Sequence, residues 1–271
     1  MSIRPAGLDF HVRVCRFVLA PRAHLRFGRG GAANDFRGAL GFRLPEAFFR
    51  PRSEQGPSGL RDLPRPFVLR TRPLEGRSIA PGENFELRLH LFDPRASDLT
   101  AAAVREACVR GIGPARIPLS LVEFALEDFT FDLKCREAAP DGLLVRFLTP
   151  VELKGWIGVP PLPFDVLAAR LRDRISALRA AYGPGPADFD FRGLAERARA
   201  VECVSCRLEQ VAAERTSRRT GRRHPLGGAV GECVYRGDLR EFVPLLEAGV
   251  YTGVGRQTVW GKGEFEIRDA G

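Results

Sequence analysis

From Leu143 onward, stretches with strand and helix periodicity follow one another in a single order, and that order restricts the fold more than any other feature. Residues 143–147 read as a strand, with a turn at Thr149-Pro150. Val166, Leu167, Leu171, Ile175 and Leu178 fall at helical spacing and predict a helix over 164–182. A shorter helix covers 191–198. Strands over 200–213 and 228–235 flank a basic turn and predict a long hairpin. Asp238 is expected to cap a helix running to Glu247, and 264–268 closes the chain as a strand. The order is βα(α)ββαβ.

The first half fits the same order less cleanly. Phe10, Val12 and Val14 alternate with His11, Arg13 and Cys15 in a strand, and an Arg/Gly loop at 26–31 opens a short helix over 32–42. A Pro/Gly-rich stretch, 51–66, reads as irregular. Strands are expected at 66–70 and 84–92, then a helix capped by Asp98 or Thr100 and ending near Gly111. Two further strands are expected at 117–124 and 129–136, and 137–142 reads as a turn between halves. A strand–helix–strand unit repeated in this way is the split βαβ arrangement. The expectation is an α+β chain of two tandem ferredoxin-like (RRM-like, βαββαβ) domains, 1–139 and 140–271.

A net charge of +9 favours an anionic partner such as nucleic acid. Lysine occurs only at Lys134, Lys154 and Lys262, so arginine carries nearly all the positive charge. Arginine bias also follows from a GC-rich genome, so clustering decides more than the total. No apolar run approaches bilayer length, and residues 1–9 lack the hydrophobic centre of a signal peptide, so a cytoplasmic location is expected. The six cysteines are irregularly spaced and are expected as free thiols. Cys203-Val204-Ser205-Cys206 offers half of a zinc motif, with His224 and Cys233 as imaginable partners. The pair lies in an expected strand, where residues three apart point to opposite faces, so no metal site is assigned.

Near the C-terminus, Gly253-Val254-Gly255-Arg256-Gln257-Thr258-Val259-Trp260-Gly261-Lys262-Gly263 forms a G-x-G-R-x-T-x-x-G-x-G loop between an expected helix and the last strand. It resembles the signature loop of the repeat-associated (RAMP) RNA-binding superfamily. Glycines let backbone N–H groups approach phosphates, and Arg256 and Lys262 add charge. Further segments narrow the resemblance to the CRISPR precursor-RNA processing endoribonucleases. Arg37-Gly38-Ala39-Leu40-Gly41 is similar to their N-terminal "RGALG" helix, 63–69 to a "PRPFVL" strand, and 111–116 to a "GIG-x-x-R" turn. Phe147-Leu148-Thr149-Pro150 with Leu153-Lys154, then Arg218-Arg219, Leu226-Gly227-Gly228 and 242–246, continue the likeness along nearly the whole chain. Many relatives carry a histidine shortly before the glycine loop, where this chain has Tyr251-Thr252.

The resemblance implies metal-independent cleavage without a cofactor. The ribose 2′-hydroxyl attacks the neighbouring phosphate, leaving a 2′,3′-cyclic phosphate and a 5′-hydroxyl. Such a reaction needs a base, an acid and cations around the phosphorane. Histidine suits the proton transfers. His24, beside Arg22, Arg26 and Arg29 and just before the "RGALG" helix, is the first candidate; His224, in the basic run 218–225, is the second. His11 and His90 lie in expected strands and read as surface or packed residues. Arg26, Arg29, Arg37, Arg218, Arg219, Arg222, Arg223, Arg256 and Lys262, with Gly253, Gly255, Gly261 and Gly263, are expected to hold RNA backbone. Trp260 is placed either to stack on a base or to pack between the halves. The expected partner is CRISPR repeat RNA within precursor CRISPR RNA, with effector-complex subunits as a further class. The alternative is a RAMP subunit that holds guide RNA in such a complex without cutting it.

Overall fold

The computed structural model describes residues 8–28, 30–41, 43–45, 48, 63–212, 214–216, 223–225 and 227–271. In the first half, β1 (Asp9–Pro21), β3 (Phe67–Arg70), β5 (Phe85–Leu91) and β6 (Leu119–Asp132) form an antiparallel sheet of order β3-β5-β1-β6. The helices α1 (Ala32–Gly41) and α2 (Ser97–Arg110) provide the two crossovers. A small ladder pairs β2 (Leu25–Arg26) with β4 (Ser78–Ile79). In the second half, β7 (Gly142–Val151), β8 (Glu202–Val211), β11 (Gly228–Arg236) and β12 (Phe265–Asp269) form a sheet of order β12-β7-β11-β8. Its crossovers are α3 (Phe164–Tyr182) with α4 (Phe191–Arg199), and α5 (Val243–Thr252). Short strands β9 (Glu214–Thr216) and β10 (Arg223–Pro225) pair within the β8–β11 connection. Both sheets place the last strand beside the first and the second at the far edge, as two ferredoxin-like units do.

Alternation dictates which side of each strand is buried. Cys15, Phe17 and Leu19 of β1 pack with α1 and α2 in one core, whereas Phe10 and Val12 join the core of the second half. Phe92 and Val68 do the same, so the two units share an interior. Burying each of these phenylalanines is worth about 2 kcal/mol. Arg179 of α3, itself buried, ties the halves by donating to Asp9 O at 2.8 Å and to Gly185 O and Pro186 O.

Four expectations change. The strands expected at 117–124 and 129–136 are one strand, β6, paired with β1 from Asp9↔Asp132 to Pro21↔Leu119 with a bulge near Val18/Leu19. The polar Glu127-Asp128 step reads as a break, but Arg13 pairs with Asp128 at 2.7 Å and keeps it in the ladder. Asp98 and Thr100 lie inside α2 rather than at its cap; Asp93 caps the preceding turn through Arg95 N. Asp238 receives the Arg240 N–H and guanidinium in a separate turn, and α5 begins only at Val243. The fourth concerns Cys203 and Cys206. The register runs Cys233↔Cys206, Val234↔Ser205, Tyr235↔Cys203, leaving Val204 as an extra residue. This β-bulge turns both cysteines to one face. All six cysteines are free thiols. Among the described residues no helix is long and apolar enough to cross a membrane.

Candidate functional site

The glycine loop leaves the end of α5 and folds back over the first half. Gly253 N–H donates to Gly249 O (2.8 Å), Val254 N–H to Gly263 O (3.0 Å), Gly263 N–H to Pro150 O (3.0 Å) and Gly261 N–H to Thr258 O (2.9 Å). A methyl group on Gly255 would lie 2.4 Å from Glu152 O, and one on Gly263 1.8 Å from Val254 O, both at positive φ. The glycines are therefore required by the loop's own packing. The amides of Gly253, Gly261 and Gly263 are engaged inside the protein, so the loop presents side chains rather than these N–H groups. The loop's short 3₁₀ turn, Thr258–Trp260, rests on α1 and β3, with the Arg37 guanidinium carbon 3.4 Å from the centroid of the Trp260 ring. A cation–π stack of this kind contributes about 0.5–2 kcal/mol. Trp260 packs between the halves.

Where the loop meets the first half there is a cleft of about 240 Å³. Gly30, Ala33 and Asn34 line it from the start of α1, Thr71, Arg72 and Glu75 from the segment after β3, and Leu148–Pro150, Trp260, Gly261 and Lys262 from the second half. Glu75 accepts the Gly31 N–H at 3.0 Å and supplies an anion to the α1 N-terminus. Its pKa is raised by burial, against the backbone hydrogen bonds from Gly30, Gly31 and Ala32. Lys262 is half-buried opposite it; burial lowers the Lys262 pKa and the Glu75 charge partly restores it. Arg72 is exposed at the rim and pairs with Glu264 at 3.4 Å.

Below the loop, the buried Arg70 and the half-buried Arg174 grip the carbonyl end of α5. Arg70 Nη2 donates to Val250 O (2.6 Å) and Tyr251 O (2.9 Å), and Arg174 Nε to Thr252 O (3.1 Å). His90 Nδ1 lies 2.9 Å from Tyr251 O, and the Tyr251 ring packs on Phe129 and Phe131. Positive groups at a helix C-terminus are favoured by the carbonyl dipoles. No sequence signal separated these residues from surface arginines, because nothing in composition marks an arginine that will be buried.

Residues 145–265 match the family model of the CRISPR-associated endoribonuclease Cas6. By this match residues 145–265, most of the second half, are similar to the Cas6 family. Residues 44–131 match a second family model, described as an N-terminal domain. No curated protein matches the chain. Among solved structures, Thermus thermophilus Cas6 aligns with a TM-score of 0.58 and 18% identity over 98% of this chain and 100% of its own. A Cas6 product complex aligns with a TM-score of 0.58 and 19% identity, covering 94% of this chain and 99% of that one. A partial Cas6–RT–Cas1–Cas2 complex aligns with a TM-score of 0.60 and 12% identity, covering 97% of this chain and 47% of that one. These likenesses concern the fold.

The structure brings together Arg37, Gly261 and Lys262 at the cleft or against its wall. Arg256 lies outside the lining, exposed and paired with Glu152 at 2.6 Å. Arg26 is exposed on β2, and His24 is exposed in the turn before it; neither lines the cleft. The His24 ring makes no hydrogen bond among the described residues. Arg29, Arg218, Arg219 and Arg222 lie outside the described residues, and for Arg223 and His224 only the backbone of β10 is described. His11 Nδ1 is 2.9 Å from the Thr130 hydroxyl.

His90 is neutral in the fold. Burial, then the Arg70 charge, lowers its pKa from 6.5 to about 3. Below the ordinary value of 6.5 the unfolded chain binds the proton that the folded chain refuses, so stability falls as the pH drops from about 6.5 toward 3. At pH 5 this amounts to about 2 kcal/mol relative to neutral pH. The check is urea unfolding at pH 7.5 and 5.0: His90→Gln, which keeps a donor for Tyr251 O but does not titrate, is expected to lose that much less of its stability on acidification.

Proposed function

We propose that the chain binds CRISPR repeat RNA across the junction of its two halves, taken as 1–139 and 140–271, and cuts precursor CRISPR RNA there. The reaction is attack of a ribose 2′-hydroxyl on the adjacent phosphate, giving a 2′,3′-cyclic phosphate and needing no metal. The observation that carries this reading is the seating of the glycine loop on α1 and β3, which places Lys262 and Arg72 in one cleft walled by both halves. Cations so placed attract a phosphate, and a half-buried ammonium stabilises charge on a phosphorane better than a solvated one. Product-complex and multi-subunit Cas6 structures with the same fold support RNA and CRISPR proteins as partners. His24 serves as general acid or base, with His224 as the second candidate. The RNA-binding set is completed by the arginines at 26, 29, 37, 218, 219, 222, 223 and 256, with the four loop glycines holding Lys262 in place.

The test is incubation of the protein with its repeat RNA in excess EDTA. The expected result is a single cut leaving a product end that resists ligation until the cyclic phosphate is removed. An intact repeat under conditions where binding is demonstrated overturns the nuclease reading in favour of a guide-binding subunit.

A further inference from the structure

The sulfurs of Cys203, Cys206 and Cys233 all lie within 4.8 Å of one another, with Cys206 Sγ and Cys233 Sγ 3.2 Å apart. They come from two adjacent strands of the second sheet. Cys206 stands directly opposite Cys233, and Cys203 opposite Tyr235. In a regular strand Cys203 and Cys206 would face opposite ways. The extra residue Val204 brings them to one side, and re-aiming a side chain is a recurring use of a β-bulge. Cys233 forms a buried floor, whereas Cys203 and Cys206 are partly exposed, leaving a path from solvent. The Tyr235 hydroxyl donates to Leu162 O at 3.1 Å.

We propose that Cys203, Cys206 and Cys233 bind one thiophilic d¹⁰ cation, Zn²⁺ or Cu⁺, through three thiolates. Thiolates at the usual Zn–S distance of about 2.3 Å around a tetrahedral centre stand about 3.8 Å apart, so small side-chain movements suffice. Three sulfurs complete a trigonal Cu⁺ site; Zn²⁺ takes a solvent molecule as its fourth ligand. Binding releases the three thiol protons to solvent. The cation must displace these protons, so binding strengthens as pH rises. The cation would pin β8 to β11, the strands flanking the segment that carries Arg218, Arg219, Arg222 and Arg223.

The experiment is titration of the full chain, kept reduced with a phosphine, with Co²⁺ as the spectroscopic stand-in for Zn²⁺. A thiolate-to-cobalt charge-transfer band saturating at one equivalent and displaced by Zn²⁺ is expected if the site takes Zn²⁺. A parallel arm measures Cu⁺ transfer from a coloured chelator and separates the two cations. Cys206→Ser is expected to weaken uptake at least 100-fold, as is Cys203→Ser should the first variant fold poorly; Cys135→Ser, at an exposed site outside the cluster, leaves it unchanged. The added metal raises Tm in the wild type and not in Cys206→Ser. Absence of uptake in both arms overturns the proposal, as does unchanged uptake by Cys206→Ser. It is equally overturned if air-oxidised protein shows a Cys206–Cys233 disulfide and takes up no metal after reduction.

Discussion

The His24→Ala protein is expected to cleave repeat RNA at least about 100-fold more slowly than the wild type, with RNA affinity nearly unchanged. Positioned proton transfer contributes about 10²–10⁴-fold to such reactions. The other described histidines are poorly suited to supply it. His90 is buried against Tyr251 O and neutral, its Nδ1 proton engaged with that carbonyl rather than available to substrate. His11 is engaged with Thr130 on the β1–β6 ladder. His24 is exposed, and its ring is uncommitted within the described residues. It lies six residues before Gly30, on the segment that enters the cleft wall, so RNA gripped beside Lys262 has a short path to it. Single-turnover cleavage of end-labelled repeat RNA, alongside a binding titration, makes the measurement. Full activity in His24→Ala transfers the role to His224; a parallel loss of binding makes His24 a contact residue instead.

The second large effect belongs to Gly263. Its φ is +65°, and an alanine methyl would stand 1.8 Å from the Val254 carbonyl oxygen, which is backbone and has no rotamer to escape into. The Val254–Gly263 hydrogen bond and the Gly263–Pro150 bond would both be strained or broken. Gly263→Ala is expected to cost about 3 kcal/mol or more in chemical denaturation and to release Lys262 from its place opposite Glu75. Gly38→Ala is the contrast. Gly38 sits in α1 with nothing within 4 Å of an added methyl, and alanine there is expected to stabilise by about 0.5–1 kcal/mol. Equal stability of Gly263→Ala and wild type would show that the loop is held by its side chains rather than by its glycine backbone.

The fold was legible wherever one face of an element is wet and the other dry. The helix expected at 164–182 matches α3, and the strand order of the second half follows from its periodicity. Errors fell where polar residues sit inside a ladder or a helix. Asp128 looks like a strand end until Arg13 is placed beside it, and Cys203 looks averted from Cys206 until Val204 is seen to be an extra residue. The loop motif was visible as spacing, but phosphate approach does not account for its glycines: three of the four direct their amides inward. Arg70 and Arg174 were unreadable, because their hydrogen bonds depend on α5 ending where it does, more than seventy residues further along the chain. That Arg37 would meet Trp260 was likewise beyond reach, since their contact joins elements from different halves.

The shared interior has a consequence for how this chain comes off the ribosome. Phe10, Val12, Val68 and Phe92 are made early, yet their neighbours in the core include Leu171, Leu245 and Phe265, the last more than 170 residues further along the chain. The first half therefore emerges with one greasy face bare and stays so until the strand carrying Phe265 has been made. A fragment that stops ahead of Phe265 would leave that interior open and be a client for chaperones rather than a smaller working protein.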